Sequence, residues 1–282
     1  MKKLLSLLLI LTAVVFSLSA CNGYKESSEG LEFELNSDGE SYTLTGIGTC
    51  TESNIIVSGY EGKPVTAIGD NAFAQCATVR SVTIDDCVRS IGRLAFSACP
   101  NLTRITIPES VTSIGDYAFN LCPNLIYSEY GNSCYLGNDR NSYMVLVKPK
   151  HISVTTVNIH TNTKLIYSHA FDSCSMLREV QIPGSVNSIG DYAFRYCTNL
   201  TSLTILSGVT KIGDYAFADC VNLTKVIIPD TVMKIGEHAF SSCKGIFTVC
   251  YEGGKGAWTD IVIGLDNEYL TNAYIQYNYG KN

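Results

Sequence analysis

The chain contains twelve cysteines, which could form disulfides, bind a metal ion or act as nucleophiles. A zinc site is not indicated, because no two cysteines are separated by only two residues and no histidine cluster accompanies them. Seven recur at one repeated position: Cys76, Cys99, Cys122, Cys174, Cys197, Cys220 and Cys243. Seven equivalent side chains cannot all pair, so we predict buried free thiols there. The pairing of four others stays open: Cys50, Cys87, Cys134 and Cys250.

Other residues that could do chemistry are not gathered into a site. His169 and His238 share a repeat position with tyrosines, which predicts half-buried polar residues rather than a catalytic pair. Acidic residues follow the Ile-Gly pairs, and we expect them to cap the next helical turn: Asp116, Asp191, Asp214 and Glu237. One acid per repeat does not supply the converging oxygens that a calcium ion needs. Without a phosphate loop or a Gly-x-Ser-x-Gly elbow, the sequence predicts no enzyme, metal or cofactor.

Cys21 is the one cysteine for which the sequence predicts a modification. Met1-Lys2-Lys3 is followed by an apolar run from Leu4 to Phe16, which is short for a membrane span and typical of a bacterial secretory signal over residues 1–20. Leu18-Ser19-Ala20-Cys21 resembles a lipobox, which implies lipidation of Cys21 and anchoring to the membrane by lipid alone. The alternative is plain secretion with an incidental cysteine. Polar residues 21–30 are expected to form a flexible tether.

Composition limits the class of protein. The chain has 282 residues, of which 46% are hydrophobic, so it can bury a large core and is not a disordered protein. Its formal charge is −6, and removal of Lys2 and Lys3 with the signal leaves 18 basic and 26 acidic residues, or −8. An acidic chain argues against a nucleic-acid partner, which normally requires a basic patch.

These residues are positioned by a repeat with a period of 23 residues. An isoleucine, usually followed by glycine, begins each pattern, with a phenylalanine five residues and a cysteine eight residues later. The isoleucines are Ile68, Ile91, Ile114, Ile166, Ile189, Ile212 and Ile235. Consecutive members are 23 residues apart except across one gap of 52. A fixed period of this length is typical of a solenoid, in which each unit buries its apolar side against its neighbours.

Each repeat divides into two halves. Leu102 to Pro108 alternates apolar and polar residues, which predicts a short strand. Val111 to Cys122 spaces its apolar residues by three to five, which predicts one or two turns of α- or 3₁₀-helix behind the strand. The repeated glycine indicates a tight turn or a close backbone contact, and Tyr167 at the same position argues against a conformation that only glycine adopts.

The pattern LxxIxIPxxVxxIGxxAFxxCxxL resembles the BspA-like, treponemal-type leucine-rich repeat. The resemblance extends from about Leu31 to Tyr279 and recurs seven times. It implies an α/β solenoid: a right-handed leucine-rich-repeat array with a parallel β-sheet on the concave face and short helical turns behind it. Members of this family are mostly bacterial surface proteins, and several are adhesins for host matrix proteins or other cells.

Three segments depart from the repeat. Residues 31–67 are expected to form an N-terminal cap and first coil, with a hairpin turn at Asp38-Gly39. Residues 68–250 carry the repeats, interrupted at 131–153 by a hairpin that is either a decoration of the solenoid or a binding loop with Tyr130, Tyr135, Arg140 and Tyr143. Residues 251–282 are expected to form a C-terminal cap in which Trp258 is a core residue rather than a ligand platform. With both caps, we expect about eight coils.

The side chains expected on the concave strand face are mostly small or polar. The candidate partner-binding residues are Arg104, Thr106, Tyr127, Glu129, Glu179, Gln181, Thr204 and Lys225. A broad polar surface favours a large partner over a small molecule in a pocket, although it is also what a merely solvated sheet face would show. The leading hypothesis is a monomeric, lipid-anchored surface protein that binds a protein or glycan at the cell exterior. The alternative is a structural or assembly component of the cell envelope.

Overall fold

The computed structural model describes residues 25–280, which divide into two units: one up to Ile126 and one from Tyr127 onward. In its described part the first unit has nine strands: β1 (Glu32–Leu35), β2 (Tyr42–Gly46), β3 (Asn54–Val57), β4 (Gly59–Tyr60), β5 (Lys63–Ile68), β6 (Ser81–Ile84), β7 (Ser90–Ile91), β8 (Arg104–Thr106) and β9 (Ser113–Ile114). β1 pairs antiparallel with β2, and the turn between them contains Gly39 at φ +68°. β4 pairs antiparallel with β5.

The described part of the second unit has thirteen strands and two short helices. The strands are β10 (Ser128–Tyr130), β11 (Ser133–Leu136), β12 (Val145–Pro149), β13 (Leu165–Ile166), β14 (Glu179–Ile182), β15 (Ser188–Ile189), β16 (Ser202–Ile205), β17 (Lys211–Ile212), β18 (Lys225–Ile228), β19 (Lys234–Ile235), β20 (Thr248–Tyr251), β21 (Val262–Ile263) and β22 (Tyr274–Gln276). The helices are α1 (Lys255–Thr259) and α2 (Glu268–Thr271).

Each unit contains two parallel ladders, where the sequence predicted one sheet. The ladder of longer strands, here called the long ladder, runs β3-β6-β8 in the first unit and β14-β16-β18-β20-β22 in the second. The other, here called the short ladder, runs β2-β5-β7-β9 in the first unit and β12-β13-β15-β17-β19-β21 in the second. The described short ladders contain four and six strands, ten in all, where about eight coils were expected. Seven of these strands come from the regular repeats, and β2, β12 and β21 come from the N-terminal segment, the insertion and the C-terminal segment. The right-handed sense stays a prediction.

The second half of each repeat is built from turns, and the expected helical turns do not occur in the described repeats. Two positions per coil lie in the left-handed region, as at Tyr192 (φ +59°) and Tyr196 (φ +57°), and such residues interrupt a helix. Alternate backbone amides in this half donate to carbonyl oxygens of the next coil. Tyr192 N–H donates to Asp214 O at 2.8 Å, and Phe194 N–H donates to Ala216 O at 2.7 Å. These bonds join adjacent coils behind the strands.

The repeated glycine is explained by a close backbone contact rather than by a turn. A Cβ atom on Gly92 would lie 2.5 Å from Asp70 N and 2.5 Å from Gly69 C in the preceding coil. None of the repeated glycines has a positive φ, so the backbone at this position does not require glycine. This agrees with the presence of Tyr167 at the same position of one repeat. Glycine is therefore needed wherever one Ile-Gly segment stacks on another.

The core of each unit is a column of repeated apolar side chains. In the second unit the rings of Phe171, Phe194, Phe217 and Phe240 are fully buried and stack with centroid separations of 5.2 to 5.3 Å. Trp258 in α1 closes this core at 9% exposure and meets Tyr251 edge-on at 5.1 Å. The interpretation of Trp258 as a capping core residue is confirmed.

Candidate partner-binding surfaces

The long ladder of the second unit presents a regular polar face. Glu179, Ser202 and Lys225 pair in register along β14, β16 and β18, so their side chains form one column. Gln181 and Thr204 form the neighbouring column. Glu179, Gln181 and Lys225 are exposed and Thr204 is half-buried, while the intervening Val and Ile residues are in the core. The structure thus places these four predicted residues on one surface.

The first unit carries a shorter version of the same face. Arg104 is exposed on β8 and pairs in register with Ser81 on β6, whose hydroxyl donates to Asn54 Oδ1 at 2.7 Å. Thr106 is half-buried, and its hydroxyl oxygen accepts from the amide of Ile84 at 3.3 Å. Arg104 therefore presents charge to the solvent, whereas Thr106 contributes to the ladder itself.

Two residues predicted for the strand face lie elsewhere. Tyr127 and Glu129 belong to the antiparallel segment around β10, because β10 pairs with β11 and not with a strand of the long ladder. Lys148 lies 4.3 Å from the centroid of the Tyr127 ring, and Lys150 forms an ion pair with Glu129 at 2.6 Å. Their assignment to the concave face was therefore wrong, because the antiparallel pairing begins with β10 at Ser128, three residues before the expected start of the insertion at 131.

Tyr135 is also not available to a partner. It lies on β11, which is paired on both sides by β10 and β12, and its side chain is 0% exposed. Its hydroxyl donates to Asn158 O at 3.3 Å and accepts from the amide of His160 at 3.3 Å. Burial raises the pKa of this phenol. The tyrosine predicted as part of a binding loop is a core residue of the insertion.

Of the residues predicted for a binding loop, Tyr130 and Arg140 are exposed and Tyr143 is half-buried. Tyr143 stacks on His160 with centroids 4.0 Å apart, and Tyr130 meets the same imidazole edge-on at 4.7 Å. Tyr130 is 43% exposed, and Arg140 is exposed in the turn between β11 and β12. His160 was not singled out as a member of this cluster, since nothing in its local sequence indicates that the hairpin folds over it.

His169 and His238 lie at the two ends of a column of stacked rings. His169, Tyr192, Tyr215 and His238 occupy equivalent turn positions, and their centroids are 4.7, 4.9 and 4.5 Å apart. Asp172 accepts from Arg195 at 2.6 Å and lies 3.1 Å from His169 Nδ1. Burial opposes ionisation of Asp172, but these bonds outweigh it and lower the pKa of the carboxyl. The column joins neighbouring coils, and all four of its rings are half-buried.

Two of the four repeated acids, Asp191 and Asp214, join coils instead of capping helical turns. Asp191 Oδ1 accepts from the amide of Asp214 at 2.8 Å, and Asp214 Oδ1 accepts from the amide of Glu237 at 2.9 Å. The acceptor and donor are 23 residues apart in both cases. For these two acids the expected role was wrong, because no helix follows the Ile-Gly segment and the amide that each accepts from belongs to the next coil.

The seven repeated cysteines are free thiols, as predicted, and six of them are buried. They are more than small apolar side chains: Cys197 donates to Phe171 O at 3.3 Å, and Cys220 donates to Phe194 O at 3.3 Å. Burial raises the pKa of Cys174 to about 11, which disfavours the reactive thiolate. Cys50, Cys134 and Cys250 are also free, and Cys87 is buried.

The described residues contain no grouping of three His, Cys, Asp or Glu side chains that could hold a metal ion. Between residues 25 and 280, no helix combines the length and the apolar character that crossing a bilayer requires. The geometry thus offers extended surfaces, of which the long ladder is the most regular.

Comparison with known proteins identifies the repeat. The family model described as BspA type leucine-rich repeat region matches six copies over residues 53–139 and 150–249, more than half of the chain. The chain is 22% identical to the solved leucine-rich repeat protein of T. pallidum, with 71% of this chain and 90% of that one covered and a TM-score of 0.39. It is 24% identical to a leucine-rich cell surface protein of Faecalibacterium prausnitzii A2-165, with 84% and 98% covered and a TM-score of 0.39. No curated protein matches.

Proposed function

Because the chain belongs to the BspA-type leucine-rich repeat family, we propose that it is a non-enzymatic, extracytoplasmic protein that binds a macromolecular partner. The observation that carries this proposal is the polar face of the long ladder. Rigid, in-register columns such as Glu179, Ser202 and Lys225 offer many contacts to a broad partner and no enclosed cavity for a small one. The proposed ligands are proteins or glycans at the cell exterior.

Three charged residues test the polar faces of the two long ladders, Arg104 in the first unit and Glu179 and Lys225 in the second. Replacing Arg104, Glu179 and Lys225 by alanine is expected to weaken partner binding about tenfold or more, because charged groups on a polar face contribute to both orientation and contact. All three are exposed, so the melting temperature should stay within a few degrees of the parent value. The measurement is a pull-down of extracellular matrix and of intact neighbouring cells, followed by titration of the captured partner.

The matched control changes Lys211, Lys234 and Glu237 to alanine. These residues are also exposed, and their replacement removes the same numbers of basic and acidic groups. It should leave capture unchanged. Equal capture by both triple variants would contradict the assignment of the face. Stable co-purification with a membrane protein, without any extracellular ligand, would favour the envelope-component alternative.

Lipid anchoring at Cys21 completes the proposal, although Cys21 lies outside the described residues. A diacylglyceryl thioether at this sulfur would hold the protein on the membrane through several acyl chains, each methylene contributing about 0.8 kcal/mol. Replacing Cys21 by alanine is therefore expected to move the protein from the membrane fraction to the soluble fraction. Replacing the free, partly accessible Cys76 by serine is the control and should leave the protein membrane-bound.

Mass spectrometry of the purified mature protein provides the direct measurement. The proposal requires an amino-terminal peptide that begins at residue 21 and carries the lipid mass. Since the thioether consumes the sulfur, finding Cys21 unmodified or in a disulfide would exclude the lipoprotein and leave plain secretion.

A further inference from the structure

The polar segment that precedes the first cap strand is bound to the first unit from Lys25 onward. The amide of Gly59 donates to Lys25 O at 2.8 Å, and the amide of Ser27 donates to Gly59 O at 2.8 Å. The amide of Ser28 donates to Ile56 O at 3.0 Å, and its hydroxyl accepts from the amide of Ile56 at 3.1 Å. This segment therefore runs beside β3 and β4 and is held by its own backbone.

The same segment and β1 form the first end of the unit, here called the entry end. Residues 25–28 lie next to β3, where the long ladder begins, and β1 lies next to β2, where the parallel part of the short ladder begins. Because the coils of a solenoid stack in chain order, the described chain enters the array at this end.

The entry end carries an apolar patch. The rings of Phe33 and Tyr60 are half-buried and stack with their centroids 4.3 Å apart. Leu35 is 47% exposed and shares a face of β1 with Phe33, because alternate residues of a strand point to the same side. By the same alternation, Glu32 and Glu34 belong to the other face of this strand. The patch is therefore formed by one ring pair and one exposed leucine.

This patch lies close to the predicted lipid site along the chain. Only residues 22–24 separate Cys21 from Lys25, and four residue steps span at most about 14 Å. Tyr60 directly follows Gly59, to which Lys25 is bonded, so the patch adjoins the point where this linker enters the unit. A lipid on Cys21 would therefore hold the patch within reach of the headgroup layer.

We propose that the entry end of the first unit rests on the membrane surface, with Phe33, Leu35 and Tyr60 against a lipid headgroup layer that carries no net charge. The anchor brings this layer within about 14 Å of the unit, and aromatic side chains are favoured at that depth. Residues 25–67 contain eight acidic and two basic residues, a formal charge of −6, which an anionic headgroup layer would repel. The proposal rests on the lipid anchoring proposed for Cys21 and not on the polar face of the long ladder.

Hydrogen exchange measures the attachment of the segment without the lipid. In the chain with Cys21 replaced by alanine, the amide of Gly59 should be protected by its bond to Lys25 O. Replacing Ser27 by proline removes a bonded amide and should raise the exchange rate of Gly59 at least about tenfold. Replacing Glu26 by proline is the matched control and should leave this rate unchanged, because the backbone groups of Glu26 point away from Gly59 in a parallel bridge. Equal rates in the two variants would contradict the attachment.

Fluorescence quenching measures the contact with lipid. The lipidated mature chain is placed in phosphatidylcholine vesicles whose headgroups carry a nitroxide, which quenches only at short range. A fluorescent amino acid replaces either Leu35 or Leu121, which is 70% exposed and follows β9, three strands after β2 in the short ladder. Three strand spacings amount to ~14 Å, so quenching at position 35 should exceed quenching at position 121 at least about twofold.

A charge placed in the patch separates contact from proximity. With the fluorescent amino acid at exposed Glu40, replacing Leu35 by aspartate should lower the quenching about twofold, because an ionised side chain resists removal from water. The same replacement of Leu121 is the matched control and should have no effect. Adding anionic phosphatidylglycerol to the vesicles should also lower the quenching at position 40, and added salt should restore it.

Three outcomes would overturn the proposal alone when Cys21 is lipidated. They are equal quenching at positions 35 and 121, no effect of the Leu35 replacement, and stronger quenching on anionic vesicles. An unmodified Cys21 in mass spectrometry would instead remove the lipid anchor and the membrane contact together. Hydrogen exchange at Gly59 does not depend on the lipid, so the failure of the anchor and the failure of the attached segment give different results.

Discussion

Replacing Gly213 by alanine is expected to lower the free energy of unfolding by about 3 kcal/mol or more. The added Cβ would lie 2.6 Å from Asp191 N and 2.6 Å from Gly190 C, both of which are backbone atoms of the preceding coil. A side chain could rotate away from such a contact, but backbone atoms can yield only if the coils separate. Separation would also weaken the bond from the amide of Asp214 to Asp191 Oδ1, so the loss extends across the coil interface.

Gly256 provides the matched control for this substitution. It lies in α1, and a Cβ built on it meets no atom within 4 Å. Alanine there should stabilise the chain by about 0.5 to 1 kcal/mol, because glycine is a poor helix former. Urea unfolding measures both variants, and the midpoints should move in opposite directions at an unchanged slope. A Gly213 variant as stable as the parent would show that the coils are not stacked as closely as described.

The core residues could be predicted from the sequence, because residues of the same type recur in it at a fixed spacing. The 23-residue period and the alternation in segments such as Leu102 to Pro108 determine which side chains face inward. They also place Phe and Cys at equivalent points of successive coils, where the structure shows stacked rings and buried thiols. These features follow from local pattern and from the requirement to bury apolar surface.

The turn half could not be predicted because its backbone is determined by bonds between coils. Apolar spacing of three to five is compatible with a helix, and no local signal shows that Tyr192 and Tyr196 adopt left-handed conformations. Those conformations are retained because the amides of Tyr192 and Phe194 find acceptors 22 residues ahead. The same reason explains why the partner of Asp191 is the amide of Asp214 and not one in its own coil.

The candidate surface was predictable only where the repeat is regular. Glu179, Gln181 and Lys225 lie on strands whose register follows from the period, and the structure exposes all three. In the insertion, alternation alone did not show that β11 is the central strand of three, which is why buried Tyr135 was taken for a binding residue. Surface assignments therefore fail first at insertions, where strand pairing is not determined by the repeat.

Replacing Phe217 by alanine is expected to cost about 3 to 5 kcal/mol of unfolding free energy. The ring is 0% exposed and stacks between Phe194 at 5.2 Å and Phe240 at 5.3 Å, so alanine would leave a cavity lined by two coils. Neighbouring rings cannot fill it, because each is held in place by its own coil. The cost therefore includes lost transfer free energy and a cavity contribution.

A variant of Phe247 is the control that distinguishes the loss of a buried ring from the loss of any aromatic ring. It is 72% exposed, so its replacement by alanine should change stability by no more than about 0.5 kcal/mol. The double variant of Phe194 and Phe217 adds a second measurement: the rings share one interface, so the combined loss should differ from the sum of the single losses by at least about 0.5 kcal/mol. Strict additivity, or a Phe217 variant no weaker than the Phe247 variant, would mean that the stacked phenylalanines do not couple adjacent coils.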